Sequence, residues 1–312
     1  MGVEVSYCVV NTEQRELLVR GLDALARERE AVPFATEVIV LDNASGDGSA
    51  DAARAHPAVT EVIRSELRRG KAENDTAVLQ RARGRFALLL NEDSELEPGA
   101  TVALHAALSE RPRAGAAGAA LLRPDGREQP SAWRFPTVRA ALAAALLLHR
   151  RLVVQSGGGP EVREVDWAQS AALLVRSESA RAVGWLDSAF FVYSDEVDFC
   201  KRLRDAGWSV LHVPAARAVH HEQLSTGPAG DRRIVELHRN RDRYLRKHHS
   251  AAAARAVRLL TAWTYALRAA AALMLPGHDP RRYAAHALAS LRPGRGEGLR
   301  EAADAFNARQ KG

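Results

Sequence analysis

Short apolar runs alternate with amphipathic segments through the first ninety residues. Four runs predict buried strands, at residues 3–10, 37–41, 59–63 and 85–90. Apolar residues at helical spacing between them predict helices at 15–29, 49–56 and 74–83. Strands that alternate with helices predict an α/β fold, in which helices cover both faces of a doubly wound, mostly parallel sheet.

The pattern is shorter and less regular from residue 99 to residue 230, and it is helical beyond that point. Helices are expected at 99–110, 178–183 and 196–206, strands at 114–122, 171–175 and 210–213, and a hairpin turn at 124–126. After residue 231 the helical pattern breaks only at Pro276-Gly277 and Pro293-Gly294. We therefore expect an α/β domain at residues 1–230 and a helical appendage at residues 231–312.

Charge is distributed unevenly between these two parts. Residues 232–312 hold 17 Lys and Arg against 6 Asp and Glu, whereas residues 1–231 hold 27 against 32. Basic positions 239, 241, 243, 246 and 247 precede the apolar residues Leu259, Leu260 and Trp263. This combination favours an anionic membrane surface as partner, with no nucleic acid expected. The open alternative is that these helices pack on the α/β domain or on a partner subunit.

No segment has the roughly 20 apolar residues that a membrane-spanning helix needs. The apolar stretch 140–148 is too short, and Arg268 interrupts the stretch 259–275. The chain opens directly on a strand pattern without a signal-peptide pattern, and its two cysteines lie far apart. We expect a cytoplasmic protein, peripheral on the inner face of the plasma membrane.

Polar residues cluster where two predicted strands end. Asp42 follows the second strand and opens the turn Asp-Asn-Ala-Ser-Gly-Asp-Gly, and Asn91-Glu92-Asp93 follows the fourth. Ligands of parallel α/β sheets bind at the carboxyl ends of the strands. Taken alone, the first segment could be only an Asx-turn, and the second only a solvated acidic loop.

Six segments in order resemble the family 2 glycosyltransferases, in particular the branch that contains bacterial rhamnosyltransferases. They lie at residues 9–11, 40–49, 82–93, 165–167, 190–200 and 220–221. The resemblance covers about residues 4–226 and implies the GT-A fold. It also implies inverting, metal-dependent transfer from a nucleotide-diphosphate sugar, dTDP-rhamnose or a UDP-sugar, to a hydroxyl of a cell-surface or lipid-linked glycan.

The same resemblance implies roles for individual residues. The donor-binding residues would be Val10, Asn11, Asp42, Asn43, Arg69, Gly70, Asn91 and Glu92, with Asp42 accepting a hydrogen bond from the base. Asp93 and His221 would hold the divalent cation, Mn²⁺ or Mg²⁺, and His221 has the family spacing to Ser225. Trp167 would border the acceptor.

The catalytic base is implied at the segment that begins with Ser194. An inverting transferase needs one carboxylate to take the proton of the attacking hydroxyl. The family usually has Glu-Asp at the two central positions, and this chain has Asp195-Glu196. Glu196 and Asp195 are therefore joint candidates.

Two departures from the family keep other functions open. Thr12 and Lys71 stand where the family usually has aromatic residues. Together with the reversed Asp195-Glu196, the lost aromatic at Thr12 favours a non-catalytic relative that binds a sugar nucleotide or scaffolds glycan assembly. A nucleotidyltransferase is the third alternative, although residues 11–14 are not the Gly-rich phosphate loop expected after its first strand.

Overall fold

The fold is built on one large sheet, seen in a computed structural model that describes residues 2–221 and 228–310. The strands of this sheet are β1 (Val5–Asn11), β2 (Thr36–Asp42), β3 (Glu61–Arg64), β4 (Phe86–Asn91), β5 (Ser94–Leu96), β6 (Ala114–Leu122), β7 (Glu128–Gln129), β9 (Arg163–Val165), β11 (Ala172–Arg176) and β12 (Ser209–His220). The strands β8 (Ala132–Trp133) and β10 (Trp167–Ala168) pair in a small second sheet.

The sheet has the order β3-β2-β1-β4-β11-β6-β12-β5, with β7 beside β6 and β9 beside β12. The first four strands are parallel, and β6 is parallel to β12. Strand β11 runs antiparallel between β4 and β6, and β5 is an antiparallel edge. The prediction of a mostly parallel sheet is confirmed.

Twelve helices are described. They are α1 (Arg15–Glu30), α2 (Ser49–Ala55), α3 (Lys71–Arg81), α4 (Ala100–Glu110), α5 (Val138–Ala145), α6 (His149–Leu152), α7 (Ser177–Ala182), α8 (Asp195–Asp205), α9 (Pro228–His248), α10 (Ala251–Ala272), α11 (Pro280–Leu291) and α12 (Leu299–Gln310). None of the described helices is both long enough and apolar enough to cross a bilayer.

Helices cover both faces of the sheet because successive side chains of a strand point to opposite faces. In β1, Tyr7 and Val9 belong to one hydrophobic cluster with residues of α1 and α4. Cys8 and Val10 belong to a second cluster with residues of α3 and α8. Both clusters are almost fully buried, and Cys8 and Cys200 are free thiols within the second.

Two element boundaries differ from the sequence prediction. The last strand was expected at residues 210–213, but β12 continues to His220 because β6 and β5 pair with it on both sides. Its register shifts between Val213 and Arg217, and the bulge accommodates Pro214, which cannot donate a ladder hydrogen bond. Helix α3 begins at Lys71 rather than residue 74, because the Phe191 carbonyl holds the Lys71 N–H at 2.6 Å.

The C-terminal helices share a core with the α/β part. Tyr244 and Leu245 of α9, with Ala254 and Val257 of α10, belong to the same hydrophobic cluster as Cys8. A division at residue 230 thus separates two parts that pack on one another. The breaks predicted at 276–277 and 293–294 are confirmed, since they lie between α10, α11 and α12.

Candidate active site

A cavity of about 450 Å³ lies where strands β1, β2 and β4 end. Parallel pairing brings Asn11 beside Asp42 and Val10 beside Asn91, so the polar residues after these strands share one edge of the sheet. The cavity is lined by Val10, Thr12, Gln14, Leu17, Asn43, Arg68, Arg69, Lys71, Asn74, Asn91, Glu92, Asp93, Gln169, Phe191, Val192, Tyr193, His220, Arg233, Leu299, Ala302 and Ala303.

Asp42 shapes the turn after β2 from behind the cavity wall. Its fully buried carboxylate accepts hydrogen bonds from Asn11 Nδ2 at 3.3 Å and from the Ser45 N–H at 3.1 Å. The Oδ1 of Asn11 is buried and has no hydrogen-bond partner among the described residues. Neither Asp42 nor Asn11 is among the residues that line the cavity. In this structure the Asp42 carboxylate holds the turn that follows β2.

Asn43 connects this turn to the segment before α3. Its Oδ1 accepts the Arg69 N–H at 2.8 Å, and its Nδ2 donates to the Arg69 carbonyl and the Thr12 hydroxyl, both at 3.1 Å. Because both backbone groups of Arg69 are held, that residue has a fixed position at the cavity wall. Thr12, which replaces an aromatic residue of the family, contributes to this network.

Gly70 permits a close contact between two loops that border the cavity. A Cβ at this position would lie 2.6 Å from the Phe191 carbonyl oxygen and 2.9 Å from the Phe191 Cα. The next residue, Lys71, donates its N–H to the same carbonyl. Its side chain reaches Asp75, with Nζ 2.6 Å from Oδ2.

The acidic segment after β4 also lines the cavity, and so does His220. Asp93 Oδ1 is 3.3 Å from His220 Nε2, and the Nδ1 of His220 is 2.7 Å from Gln129 Nε2. Burial, reinforced by the charge of Asp93, raises the pKa of Glu92 to about 7.

His221 has a different environment from His220. Its Nε2 lies 2.7 Å from Glu95 Oε1, and Glu95 also pairs with Arg20. The backbone N–H of His221 donates to the Asp93 carbonyl, but its ring is not among the cavity-lining groups. Ser225, the other residue of the predicted spacing, lies outside the described residues.

Asp195 and Glu196 begin helix α8, directly after two residues with strained backbone. Tyr193 and Ser194 have φ values of 67° and 62°, a region that non-glycine residues rarely occupy and that is common at functional sites. Asp195 is fully buried, and neither of its carboxylate oxygens has a hydrogen-bond partner among the described residues. Glu196 is half-buried.

Burial and neighbouring charges shift the pKa values of Asp195 and Lys71. Burial and the neighbouring Glu196 carboxylate raise the pKa of Asp195 well above its usual value, and the charge of Lys71 opposes them. Burial lowers the pKa of Lys71, but the carboxylates of Asp75 and Asp195 outweigh it, so that this pKa is raised and the ammonium stays charged. Asp195 and Glu196 are not among the cavity-lining residues, whereas Lys71 and Tyr193 are.

Trp167 lies near the cavity without lining it. Its ring stacks on Trp133 with centroids 4.5 Å apart, and its Nε1 donates to the Arg134 carbonyl at 3.2 Å. Gln169, two residues further along, does line the cavity. The stacking contact and this hydrogen bond hold the Trp133–Trp167 pair in place, with Trp167 two residues before Gln169 in the chain.

The sequence did not indicate several of the cavity-lining residues. Arg233 on α9 and the residues Leu299, Ala302 and Ala303 on α12 come from the part that was expected to be an appendage. No local signal could have found them, because their proximity to the cavity depends on how α9 and α12 pack.

In residues 2–221 and 228–310, no group of three or more His, Cys, Asp and Glu side chains is arranged to hold a metal ion. The Asp93–His220 pair offers one oxygen and one nitrogen ligand, a donor set that suits Mn²⁺. A cation bound here would take its other ligands from water and from ligand oxygens.

Comparisons with known proteins identify the family. The family model described as glycosyl transferase family 2 matches residues 6–146. The N-acetylglucosaminyl-diphospho-decaprenol L-rhamnosyltransferase of Mycobacterium tuberculosis is 32% identical over 252 residues, which cover 72% of this chain and 81% of that enzyme. The chain belongs to glycosyltransferase family 2. The glycosyltransferase is also 37% identical over 57 residues to the rhamnosyltransferase WbbL of Escherichia coli K12, which covers 18% of the chain and 22% of WbbL.

Solved structures share the fold of this glycosyltransferase. The mannosyltransferase PcManGT of Pyrobaculum calidifontis, in complex with GDP-Man and Mn²⁺, has a TM-score of 0.57 and 18% identity, covering 99% of this chain and 84% of that one. GalNAc-T7, solved with UDP, GalNAc and Mn²⁺, has a TM-score of 0.58 and 14% identity. The match covers 98% of this chain but only 57% of the length of GalNAc-T7. The predicted GT-A fold is confirmed.

Gly70 offers a test of the contact between the two cavity loops. We expect Gly70→Ala to push the Phe191 backbone away and to weaken the binding of UDP or dTDP about tenfold, because overpacked sites relieve strain by moving the backbone. Isothermal titration calorimetry would measure the affinity. Gly157→Ala is the matched control, since a Cβ there meets nothing within 4 Å. If the two variants bound the nucleotide with equal affinity, the close contact between Gly70 and Phe191 would have no effect on binding, and the prediction would be contradicted.

Proposed function

We propose that this glycosyltransferase transfers rhamnose, with inversion, from dTDP-rhamnose to a hydroxyl of a lipid-linked glycan. The observation that carries the proposal is that one cavity is lined both by the Asp93–His220 pair and by the basic side chains of Arg69 and Lys71. The transferred rhamnose and a lipid-linked N-acetylglucosamine as acceptor are inferred from the name of the mycobacterial relative, and the dTDP carrier is inferred from the resemblance to the rhamnosyltransferase branch. A UDP-sugar is the alternative donor.

The donor would lie between the nucleoside side and the acidic side of the cavity. Val10, Asn43 and Arg69 would contact the nucleoside and the diphosphate, with Gly70 leaving room for the adjoining loop. Asn91 and Glu92 would border the sugar. Asp42 and Asn11 would act through the turn they hold, because their side chains lie behind the lining residues.

Asp93 and His220 would hold a divalent cation, which supplies Lewis-acid neutralisation of the diphosphate leaving group. We assign the histidine role to His220 instead of His221, because only the His220 ring faces Asp93. When Gln129 donates to Nδ1, the proton of a neutral His220 is on Nε2. Rotation of the Gln129 amide by 180° would let its Oε1 accept Nδ1–H and leave the Nε2 lone pair for the cation.

Glu196 would be the base that takes the proton from the acceptor hydroxyl as that oxygen attacks the anomeric carbon. Burial and the neighbouring Glu196 carboxylate raise the pKa of Asp195, so Asp195 would be the member of the pair that keeps a proton, and it would position Glu196. The charged Lys71 would stabilise the ionised Glu196. Attack of the acceptor oxygen on the face of the anomeric carbon opposite the breaking C1–O bond would give inversion, and the nucleoside diphosphate would leave with the electron pair of that bond.

A non-catalytic sugar-nucleotide binder is the second candidate function. It is favoured by one observation, which is that Glu196 and Asp195 do not line the cavity in the ligand-free chain. A binder and an enzyme would both take up the nucleotide, so only product formation separates them.

Substitution of the two carboxylates tests the catalytic assignment. We expect Glu196→Gln to lower kcat at least about 100-fold, since general-base catalysis contributes about that much or more. Asp195→Asn should lower kcat less than about tenfold, because an amide resembles the protonated acid in size and charge. The measurement is transfer from dTDP-rhamnose to a lipid-linked N-acetylglucosamine acceptor, with dTDP affinity as the control for binding. A larger loss in Asp195→Asn would make Asp195 the base, and no transfer by the unsubstituted chain would favour the binder.

The cation assignment has a separate test. We expect dTDP to bind more tightly with Mn²⁺ than with EDTA, and Asp93→Asn to remove about a tenfold gain in affinity because a neutral amide is a weaker ligand. His220→Gln should reduce the same gain, whereas His221→Gln should retain it. Titration calorimetry measures all four proteins. A loss confined to His221→Gln would restore the assignment expected from the sequence spacing.

We propose further that the protein is cytoplasmic and docks on the inner, anionic face of the plasma membrane. The docking surface, here termed the apolar-basic face, is formed by α5, α6, α10 and the turn after α10. Its residues Leu146, Leu147, Leu259, Trp263, Leu273 and Met274 are 57–87% exposed. Residues 251–279 hold three Arg against one acidic residue, and residues 138–152 hold three Arg and no acidic residue. Apolar side chains with this charge are complementary to anionic headgroups.

The basic residues of α9 are a poorer candidate for the membrane. Arg239 pairs with Glu301, Arg246 with Asp242 and Lys247 with Asp187. These three cations are paired with carboxylates of the protein itself. Helix α5 packs on α10, so the two parts of the apolar-basic face adjoin. Burial lowers the pKa of His149, and the nearby charge of Arg268 lowers it further.

Charge placed on this face tests the docking. We expect Met274→Glu to reduce binding to phosphatidylglycerol vesicles about tenfold, because an acidic group both loses apolar contact and repels anionic lipid. Co-sedimentation measures the bound fraction, with phosphatidylcholine vesicles for comparison. Val102→Glu is the matched control, an exposed apolar residue on α4. Equal binding by the two variants would contradict the proposal.

A further inference from the structure

The last described helix, α12, forms one wall of the cavity. In the sequence it comes more than 70 residues after the segments that carry the family resemblance. Leu299, Ala302 and Ala303 line the cavity, and all three belong to this helix. The family model ends at residue 146, so these side chains belong to a part of the chain that the family model does not match. Their contribution to the site is apolar.

One end of α12 is fixed to the loop before α3. Asn307 Oδ1 accepts the Arg68 N–H at 2.7 Å, and Asn307 Nδ2 donates to the Arg68 carbonyl at 2.9 Å. The Arg68 guanidinium lies 3.7 Å from the centroid of the Phe306 ring, a cation–π contact. Because both backbone groups of Arg68 are paired, α12 fixes the residue next to Arg69.

The other end of α12 is fixed to the loop that Gly70 contacts. Arg300 Nη2 donates to the Ala189 carbonyl at 3.0 Å, and its guanidinium lies 5.2 Å from the centroid of the Phe191 ring. Glu301 accepts two hydrogen bonds from Arg239 of α9, at 2.8 and 2.9 Å. The helix therefore connects the two loops that border the cavity. Its contact with α9 through Glu301 and Arg239 holds it in place.

We propose that α12 helps to bind the nucleotide-diphosphate sugar. In this proposal the side chains of Leu299, Ala302 and Ala303 contact an apolar edge of that ligand. This inference rests on the proposed function, since it takes the cavity to be the donor site. A helix that served only to stabilise the fold would need its anchors but would need no side chains on the cavity wall. The anchors also position Arg68 and Arg69, so donor affinity depends on α12 in two ways.

A bulky side chain on the cavity side of α12 is the direct test. Ala302→Trp should raise the Kd for dTDP and UDP at least about tenfold, because the indole would occupy space that the ligand needs. Ala305→Trp is the matched control, the same substitution at an exposed position of the same helix. Titration calorimetry on the full chain measures Kd, and the thermal unfolding midpoint should agree between the two variants within about 2 °C.

A second variant covers the case in which Ala302→Trp does not fold. Asn307→Ala removes the clamp on Arg68 and fills no space, and it should raise the donor KM about fivefold while the acceptor KM stays unchanged. A purely structural role would change neither KM selectively.

The outcomes separate this inference from the proposed function. If the unsubstituted chain binds neither nucleotide, the donor site itself is refuted, and with it the role of α12. If it binds one of them and Ala302→Trp binds it as tightly as Ala305→Trp does, the role of α12 is overturned and the donor site stands. An unchanged donor KM in Asn307→Ala would likewise overturn it.

Discussion

The parallel register of β1, β2 and β4 is the constraint on which the site depends. Asn11 pairs with Asp42, and Val10 pairs with both Leu41 and Asn91, so three strands end at the same level. Up to the ends of these strands the backbone N–H and C=O groups are paired in the hydrogen bonds of the sheet. The residues that follow the strand ends therefore place the first polar side chains at this edge of the buried sheet. The turn at Asp42, the acidic segment at Asp93 and the start of α3 are all placed by this common edge. A change of register by one residue would turn each of these side chains to the other face of the sheet.

The charge balance of the cavity follows from what this edge brings together. Lys71 interacts with the carboxylates of Asp75, Glu92, Asp195 and Glu196. The described lining of the cavity holds four cationic side chains, those of Arg68, Arg69, Lys71 and Arg233, against the two carboxylates of Glu92 and Asp93. An anionic diphosphate would therefore meet a positively charged lining, and we infer that a divalent cation beside Asp93 adds to that charge. Lys71, in the place of a family aromatic, would then serve the carboxylates as well as the ligand.

The sequence predicted well what depends on local pattern. It identified the alternating strands and helices of the first ninety residues, because burial of both faces of a parallel sheet leaves a strong apolar signal in each strand. It favoured His221 for the cation by its spacing to Ser225, because the pattern did not show that the last strand continues beyond residue 213. Since β12 continues to His220, neighbouring side chains alternate, and one ring faces Asp93 while the next faces Glu95. The wall formed by α12 was also missed, since the Arg68–Asn307 clamp joins residues 239 positions apart.

The C-terminal helices have a second effect on the catalytic segment, through the loop that precedes α8. Asn240 of α9 donates to the Val192 carbonyl at 2.8 Å, directly before the strained Tyr193 and Ser194. On the far side of the same loop, His248 of α9 lies 2.7 Å from the buried Asp198 carboxylate of α8. Left-handed backbone at two consecutive non-glycine residues costs free energy, and it persists only where the surroundings hold it. Because α9 and α12 supply those contacts, we infer that the orientation of Glu196 depends on the same C-terminal helices that close the cavity.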